Sequence, residues 1–258
     1  MAEVVNVNAG LRDADRGAVR LHPALRDVRA VLFDAGGTLV HPDWERLALM
    51  AAQEAGSDLS HAQLQRALRE TLRDADIFLQ RGEALPSDMQ LPGWLFRRMY
   101  SALGLEGEAY ERLNRRMEAA HGERHLWCGL DSEAVPVIAE LKRAGLRVAV
   151  ISNTEDGRLE ELLRLVRLDT HFDFLIDSHA VGHRKPDAAI FRLALARLDL
   201  PPHEAAYIGD SYGHDALGAQ AAGLRPVLLD PLDLYPQADV SRIRALGELI
   251  GEVAVSIT

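Results

Sequence analysis

From Val28 onward, apolar runs of strand length recur along the chain: Val31–Phe33, Val148–Ile151, Phe174–Ile176, Tyr207–Ile208 and Val227–Leu229. Between the later runs lie stretches with helical apolar spacing, Ser132–Arg143, Asp187–Leu198 and Asp215–Ala222, and several connections carry a breaker such as Gly145, Gly209, Gly223 or Pro226. Strands that alternate with helices predict βαβ units and a mostly parallel sheet in an α/β fold. Over a hundred residues separate the first run from the second. Within that gap the pattern is helical throughout, over Arg46–Glu54, Ala62–Leu79, Leu95–Leu103 and Tyr110–Ala119, with breaks near Gly56, Pro86, Pro92 and Gly104. The expected organisation is therefore an extension over 1–27, a core formed by 28–42 and 125–258, and an all-helical insert over 43–124. Polar, charged and small residues alternate through 1–27 without a period, so that segment is expected to be loosely ordered. An insert placed directly after the first strand sits above the carboxyl edge of the sheet, where it can act as a lid.

Composition narrows the partners. With 258 residues, 48% of them apolar and 26% charged, the chain has material for a real core. A formal net charge of −10 argues against a general nucleic-acid binder. Cys128 is the only cysteine, which excludes an intramolecular disulfide and points to a reducing compartment. Glu3, Asp13 and Asp15 interrupt the first residues and no apolar run has the length of a membrane span. A cytoplasmic protein acting on a small molecule, with no nucleic acid and no membrane, is the expectation; its oligomeric state is not legible.

The chemistry is concentrated where the strands end. In VLFDAGGTLV, Asp34 closes an apolar run and Gly36-Gly37 follows at once. Ser152 and Asn153 follow RVAVI, Lys185 precedes Pro186 and Asp187 after the third run, and Asp210 and Asp215 follow the fourth in IGDSYGHD. Each of these has an ordinary structural reading: an aspartate caps a turn or a helix, a serine caps a helix, a lysine is solvated. A parallel sheet nonetheless gathers all four strand ends along one edge, where open α/β sheets bind ligands. Lys185 is one of only two lysines in the chain, the other being Lys142.

The set DxxGT, SN, KPD and GDxxxxD, in this order, resembles the haloacid dehalogenase (HAD) superfamily of aspartyl-nucleophile hydrolases. The helical insert between the first two motifs looks like that superfamily's C1 cap. The resemblance runs from about Val28 to the end of the chain, and it implies a Rossmann-like core with a cap over its active site. It also implies Asp34 as nucleophile and Lys185 as the positive charge beside it. Mg²⁺ is then held by Asp34, Asp210, Asp215 and the backbone carbonyl of Gly36, and Thr38, Ser152, Asn153 and Lys185 hold the substrate phosphate. The physical logic agrees. A carboxylate that attacks phosphorus splits one displacement into two through a covalent ester, and phosphoryl transfer needs charge neutralised around it.

Position 36 departs from the pattern. Most phosphatases of the superfamily carry there a second aspartate that protonates the leaving group, whereas glycine has nothing to donate. Phosphonatase-like members use a cap lysine, and no lysine lies between Val40 and Trp127. Dehalogenases attack carbon without a metal, yet Asp210 and Asp215 are both present, and Phe191 stands where those enzymes usually have tyrosine. A metal-dependent phosphatase with a replaced acid is favoured; a 2-haloacid dehalogenase, or a weak member that binds a phosphorylated ligand, are the alternatives. Without an acid, activated phosphates should react better than alkyl phosphates, unless His41, Asp43 or a water substitutes. Smaller signals read as structural. The pairs His121/His125 and His179/His183 lack the context of a zinc site. Trp44, Trp94 and Trp127 read as apolar mass of the insert, with Trp44, close to the nucleophile, the candidate substrate contact among them. His183 and Arg184 adjoin Lys185 and are candidate substrate contacts. Most arginines of the insert read as a solvated face.

Overall fold

The computed structural model describes residues 20–251. Its strands in chain order are β1 (Arg20–Leu21), β2 (Ala30–Phe33), β3 (Val40–His41), β4 (Gly129–Leu130), β5 (Arg147–Ser152), β6 (Leu175–Asp177), β7 (Ala205–Gly209), β8 (Arg225–Leu229), β9 (Ser241–Ile243) and β10 (Ile250–Gly251). Six of these form one parallel sheet in the order β6-β5-β2-β7-β8-β9. All four residues of β2 are buried because both faces are covered. Val31 and Phe33 point into one apolar cluster with Val148, Val150 and Ile208, while Ala30 and Leu32 point into another with Ile151, Tyr207 and Phe191. Phe33 pairs with Val150 on one side and Ile208 on the other. The strand order reverses about β2, so the residues after β2, β5 and β7 border one crevice. The predicted parallel α/β sheet is therefore the observed one.

The insert consists chiefly of α1 (Trp44–Ala55), α2 (His61–Gln80), α3 (Trp94–Ala102) and α4 (Gly107–Glu123). Asp43 caps α1 by accepting from the Arg46 N–H, and α1 stops at Gly56 in the left-handed conformation. Ser60 and Gln63 form a capping box at the start of α2. The apolar faces of the four helices share a cluster that includes Leu47, Leu64, Met99, Tyr100 and Leu113. The antiparallel pair β3–β4 joins the chain entering the insert to the chain leaving it.

Three expectations are corrected. Residues 20–27 are not loosely ordered: β1 pairs with β10, and Leu25 is buried in the core. Residues 1–19, the remainder of that segment, lie outside the described residues. Strand β9 went unpredicted, since its sequence SRI contains a single apolar residue. The helix expected over Asp215–Ala222 begins instead as a wide π-helical turn, Tyr212–Leu217, followed by one short turn, Gly218–Ala221. Among the described residues no helix is long and apolar enough to cross a membrane.

Candidate active site

Four strand ends supply the site. Asp34 follows β2, and its backbone N–H is tied to the Ile208 carbonyl of β7 (2.8 Å). Asp210 follows β7, and Asp215 comes from the π-helical turn beyond it. Carboxylate oxygens of these three aspartates lie within 4.8 Å of one another, and all three residues are buried. Lys185 Nζ sits among them, 2.5 Å from Asp34 Oδ1, 2.6 Å from Asp215 Oδ1 and 2.9 Å from the Tyr207 hydroxyl. The backbone is fitted closely around these acids. A Cβ at Gly37 (φ +83°) would collide with the Asp210 carboxylate, and one at Gly209 with that of Asp215.

A second cation arrives from the insert. Arg69 of α2 donates to Asp210 Oδ2 (3.2 Å) and to the Gly37 carbonyl (2.8 Å). Burial raises the Asp34 carboxyl to about 7; Lys185 opposes the rise, and Asp215 and Asp210 add to it. Burial likewise raises Asp210 to about 7, with Arg69 as the main opposing charge. Burial alone would push the Lys185 ammonium down, but Asp215 and Asp34 hold its pKa above the usual lysine value. Three buried carboxylates against Lys185 and Arg69 leave an excess of negative charge. That excess, on hard oxygen donors, suits a divalent cation.

Above these groups lies a cavity of about 570 Å³. Asp34, Lys185, Asp210 and Asp215 line it from the core, and residues of α3, α4 and the chain beyond them, Phe96 and Trp127 among them, line it from the insert.

A model of the haloacid dehalogenase-like hydrolases matches residues 28–223. The chain belongs to that family. Among its relatives, a mouse haloacid dehalogenase-like hydrolase domain-containing protein 3 is 47% identical over 111 residues, which are 42% of this chain and 44% of the mouse protein. The chain thus spans less than half the length of that relative. A ribulose-1,5-bisphosphate 5-phosphatase from Halopiger xanaduensis is 33% identical over 221 residues, 78% of this chain and 84% of that one. Among solved structures, a HAD hydrolase from Bacillus subtilis bound to magnesium superimposes with a TM-score of 0.61 at 21% identity, over 86% of this chain and 96% of its own. That last likeness speaks for the fold.

The expected site residues of this HAD-like hydrolase fare differently. Ser152 lines the cavity, and no protein group takes up its hydroxyl among the described residues. Asn153 lines the cavity too, but its amide is committed to Lys185, accepting from the backbone N–H and donating to the carbonyl (both 2.9 Å). Asn153 is thus a positioning residue for the lysine loop. Thr38 is fully buried, its hydroxyl lacks a partner, and it is not part of the cavity wall. Gly36 lines the cavity. Neither proposed stand-in for the acid does: His41 pairs with Asp131 (3.2 Å) and Asp43 caps α1. Trp44 packs into the insert, whereas Trp94, Trp127 and Arg184 reach the cavity. His183 turns instead toward Asp187 (3.6 Å). Sequence reasoning missed Arg69 and Tyr207, and also Asp76 of α2, which binds the loop after Asp210. On a helix, Arg69 and Asp76 carry no signal beyond ordinary amphipathic spacing.

His121 and His125 are joined by Asp156, with possible ligand atoms within 4.8 Å of one another. Both nitrogens of His121 are already used, Nε2 with Asp156 (3.0 Å) and Nδ1 accepting from the Leu126 N–H (3.2 Å). Arg158 donates to the His121 carbonyl (3.2 Å), so the group latches the end of α4 to the loop after β5. Burial, and then His121, push the His125 imidazole down to about 4. A histidine depressed on folding contributes stability that is present above its unfolded pKa, near 6.5, and is lost as pH falls through its folded one. His125→Asn is therefore expected to flatten the fall in melting temperature between pH 6.5 and 4. Parallel melts of both proteins across that window check this, and identical slopes would refute it.

Proposed function

We propose that this hydrolase cleaves phosphate monoesters, activated ones in preference, through an aspartyl phosphate at Asp34, with Mg²⁺ as its metal. The observation that carries this reading is the convergence of Asp34, Lys185, Asp210 and Asp215 at the floor of one cavity. A carbon-attacking dehalogenase needs no second and third carboxylate beside its nucleophile, and Phe191 is packed edge-on against Tyr207 (5.0 Å), with no hydroxyl to offer the site. The phosphatase name of the Halopiger relative, at 33% identity, adds support.

In this reading Asp34 attacks phosphorus while Lys185 holds a phosphoryl oxygen and opposes protonation of the nucleophile. Ser152, with its free hydroxyl, donates to a second oxygen. Asp34, Asp210, Asp215 and the Gly36 carbonyl would hold Mg²⁺, which supplies the charge that relieves repulsion between carboxylate and phosphate. The insert acts as a cap that keeps bulk water from the ester.

The test is phosphate release from para-nitrophenyl phosphate and acetyl phosphate, with Mg²⁺ or with chelator. Release that requires the metal is expected. Chloride release from a 2-chloro acid that persists in chelator, with no phosphate release, would replace this reading by the dehalogenase.

A further inference from the structure

Glycine at position 36 is not demanded by the backbone, since its φ lies outside the left-handed region. It is favoured by a neighbour. A Cβ built on Gly36 would stand 3.3 Å from Trp127 Cζ3 and 3.4 Å from Cε3, closer than a methyl group normally sits against a ring. A side chain there needs the indole to give by a few tenths of an ångström. The indole itself is well held. Trp127 packs against the apolar clusters of both the core and the insert. Its backbone N–H donates to His125 Nδ1 (3.2 Å), and its ring lies 6.1 Å from that of Phe96, tilted by 49°. Gly36 and Trp127 are therefore a matched pair, one residue small because the other is large.

That pairing places an aromatic ring against position 36, two residues from the nucleophile, where other members of the family keep their proton donor. An indole carries no titratable proton to give. Leu95, Phe96, Met117 and Leu126 continue the apolar wall along the cavity. We propose that Trp127 is the specificity-determining residue of this site, selecting phosphate esters whose leaving group is planar, apolar and stable as an anion, of which aryl phosphates are the type. The inference rests on the aspartyl-phosphate reading above. An Asp34 oxygen attacks phosphorus, the bond from phosphorus to the aryl oxygen breaks, and its electron pair leaves on that oxygen as aryloxide, with no proton required. Water then attacks the phosphorus of the aspartyl phosphate, Asp34 departs as carboxylate, the water's hydroxyl stays on phosphorus and its other proton passes to a phosphate oxygen. The ring of the leaving group stacks on the indole in both ground and transition states, so the residue acts on binding as well as on the choice of leaving group.

Phenyl phosphate and benzyl phosphate test this, because they share a ring and differ in the basicity of the leaving oxygen. The wild type is expected to favour phenyl over benzyl by ~10²-fold or more in kcat/KM. Trp127→Ala should raise KM for phenyl phosphate and leave that for acetyl phosphate nearly unchanged. Gly36→Asp alone should not gain benzyl phosphatase activity, whereas Gly36→Asp with Trp127→Ala should gain ~10²-fold on it as a donor acquires room. Binding supplies a readout free of turnover: phenylphosphonate should bind the wild type ~10-fold tighter than methylphosphonate, and Trp127→Ala should erase the difference. Trp127→Phe, which keeps an aromatic wall, should retain most of it and serves as the control for misfolding. Equal wild-type rates on the two esters, equal binding of the two phosphonates, or a benzyl gain in Gly36→Asp alone would each overturn the assignment. If no ester is hydrolysed but the phosphonates are discriminated through Trp127, the aspartyl-phosphate reading fails while the aromatic recognition stands.

Discussion

Asp34→Asn is expected to lower phosphate release by ~10⁴-fold or more, as removal of a covalent nucleophile does in other hydrolases. Asparagine keeps the shape of the side chain but cannot attack phosphorus. The change leaves Lys185 its contacts with Asp215 and Tyr207. The loss should therefore be one of chemistry and not of folding, and stability can separate the two. A carboxyl raised by burial from 3.8 to about 7 contributes stability that is present below 3.8 and lost as pH rises through 7. Without metal, the wild type thus carries an unfavourable charge at Asp34 above pH 7 that the variant lacks. The variant should melt no lower than the wild type in chelator at pH 8, and relatively higher there than at pH 5. Retention of a tenth of the wild-type rate in the variant would remove Asp34 from the nucleophile's role.

Much of this site was visible along the chain because its residues sit where strands stop. Asp34, Ser152, Asn153 and Asp210 each follow an apolar run directly, and a parallel sheet fixes where such positions meet. The glycines beside them are legible for the same reason, since only glycine clears the carboxylates of Asp210 and Asp215 at positions 37 and 209. What escaped has a common cause: it depends on which face of a helix meets the core. Arg69 and Asp76 lie in RALRETLRDADI, where charged residues alternate as on any solvated helix. Yet Arg69 reaches Asp210, and Asp76 is fully buried. Trp127 likewise reads as apolar mass, and only the fold lays its ring against Gly36. The crowding at position 36 thus comes from a residue ninety-one positions away (127 less 36), beyond any local pattern.

Asp76→Ala should be strongly destabilising, by about 2–5 kcal/mol, the cost of leaving two buried donors unpaired. The Asp76 carboxylate accepts from the Ser211 hydroxyl (2.6 Å), the Tyr212 N–H (2.7 Å) and the Tyr235 hydroxyl (2.6 Å). Alanine leaves the Tyr212 N–H and the Tyr235 hydroxyl without their acceptor, while the Ser211 hydroxyl keeps His214 Nδ1 (3.1 Å). It also opens space beside Gly213, a residue kept small because a Cβ there would meet Asp76 and Leu79 within 2.8 Å. Asp76→Asn should lose less, since its one oxygen still accepts while its NH₂ faces a donor. The consequence extends to the candidate metal site, because Ser211 follows Asp210 and its N–H donates to Asp215 Oδ2 (3.0 Å). Metal affinity in Asp76→Asn is expected to fall ~10-fold, as it does when a residue orienting a ligand is lost. Chemical denaturation and calorimetric metal titration measure the two effects. The same network bears on motion. Swinging α2 away from the core would strip Asp76 and Arg69 of their partners together, so the network holds α2 against the core. An Asp76→Ala protein with unchanged stability would show that α2 is not held this way.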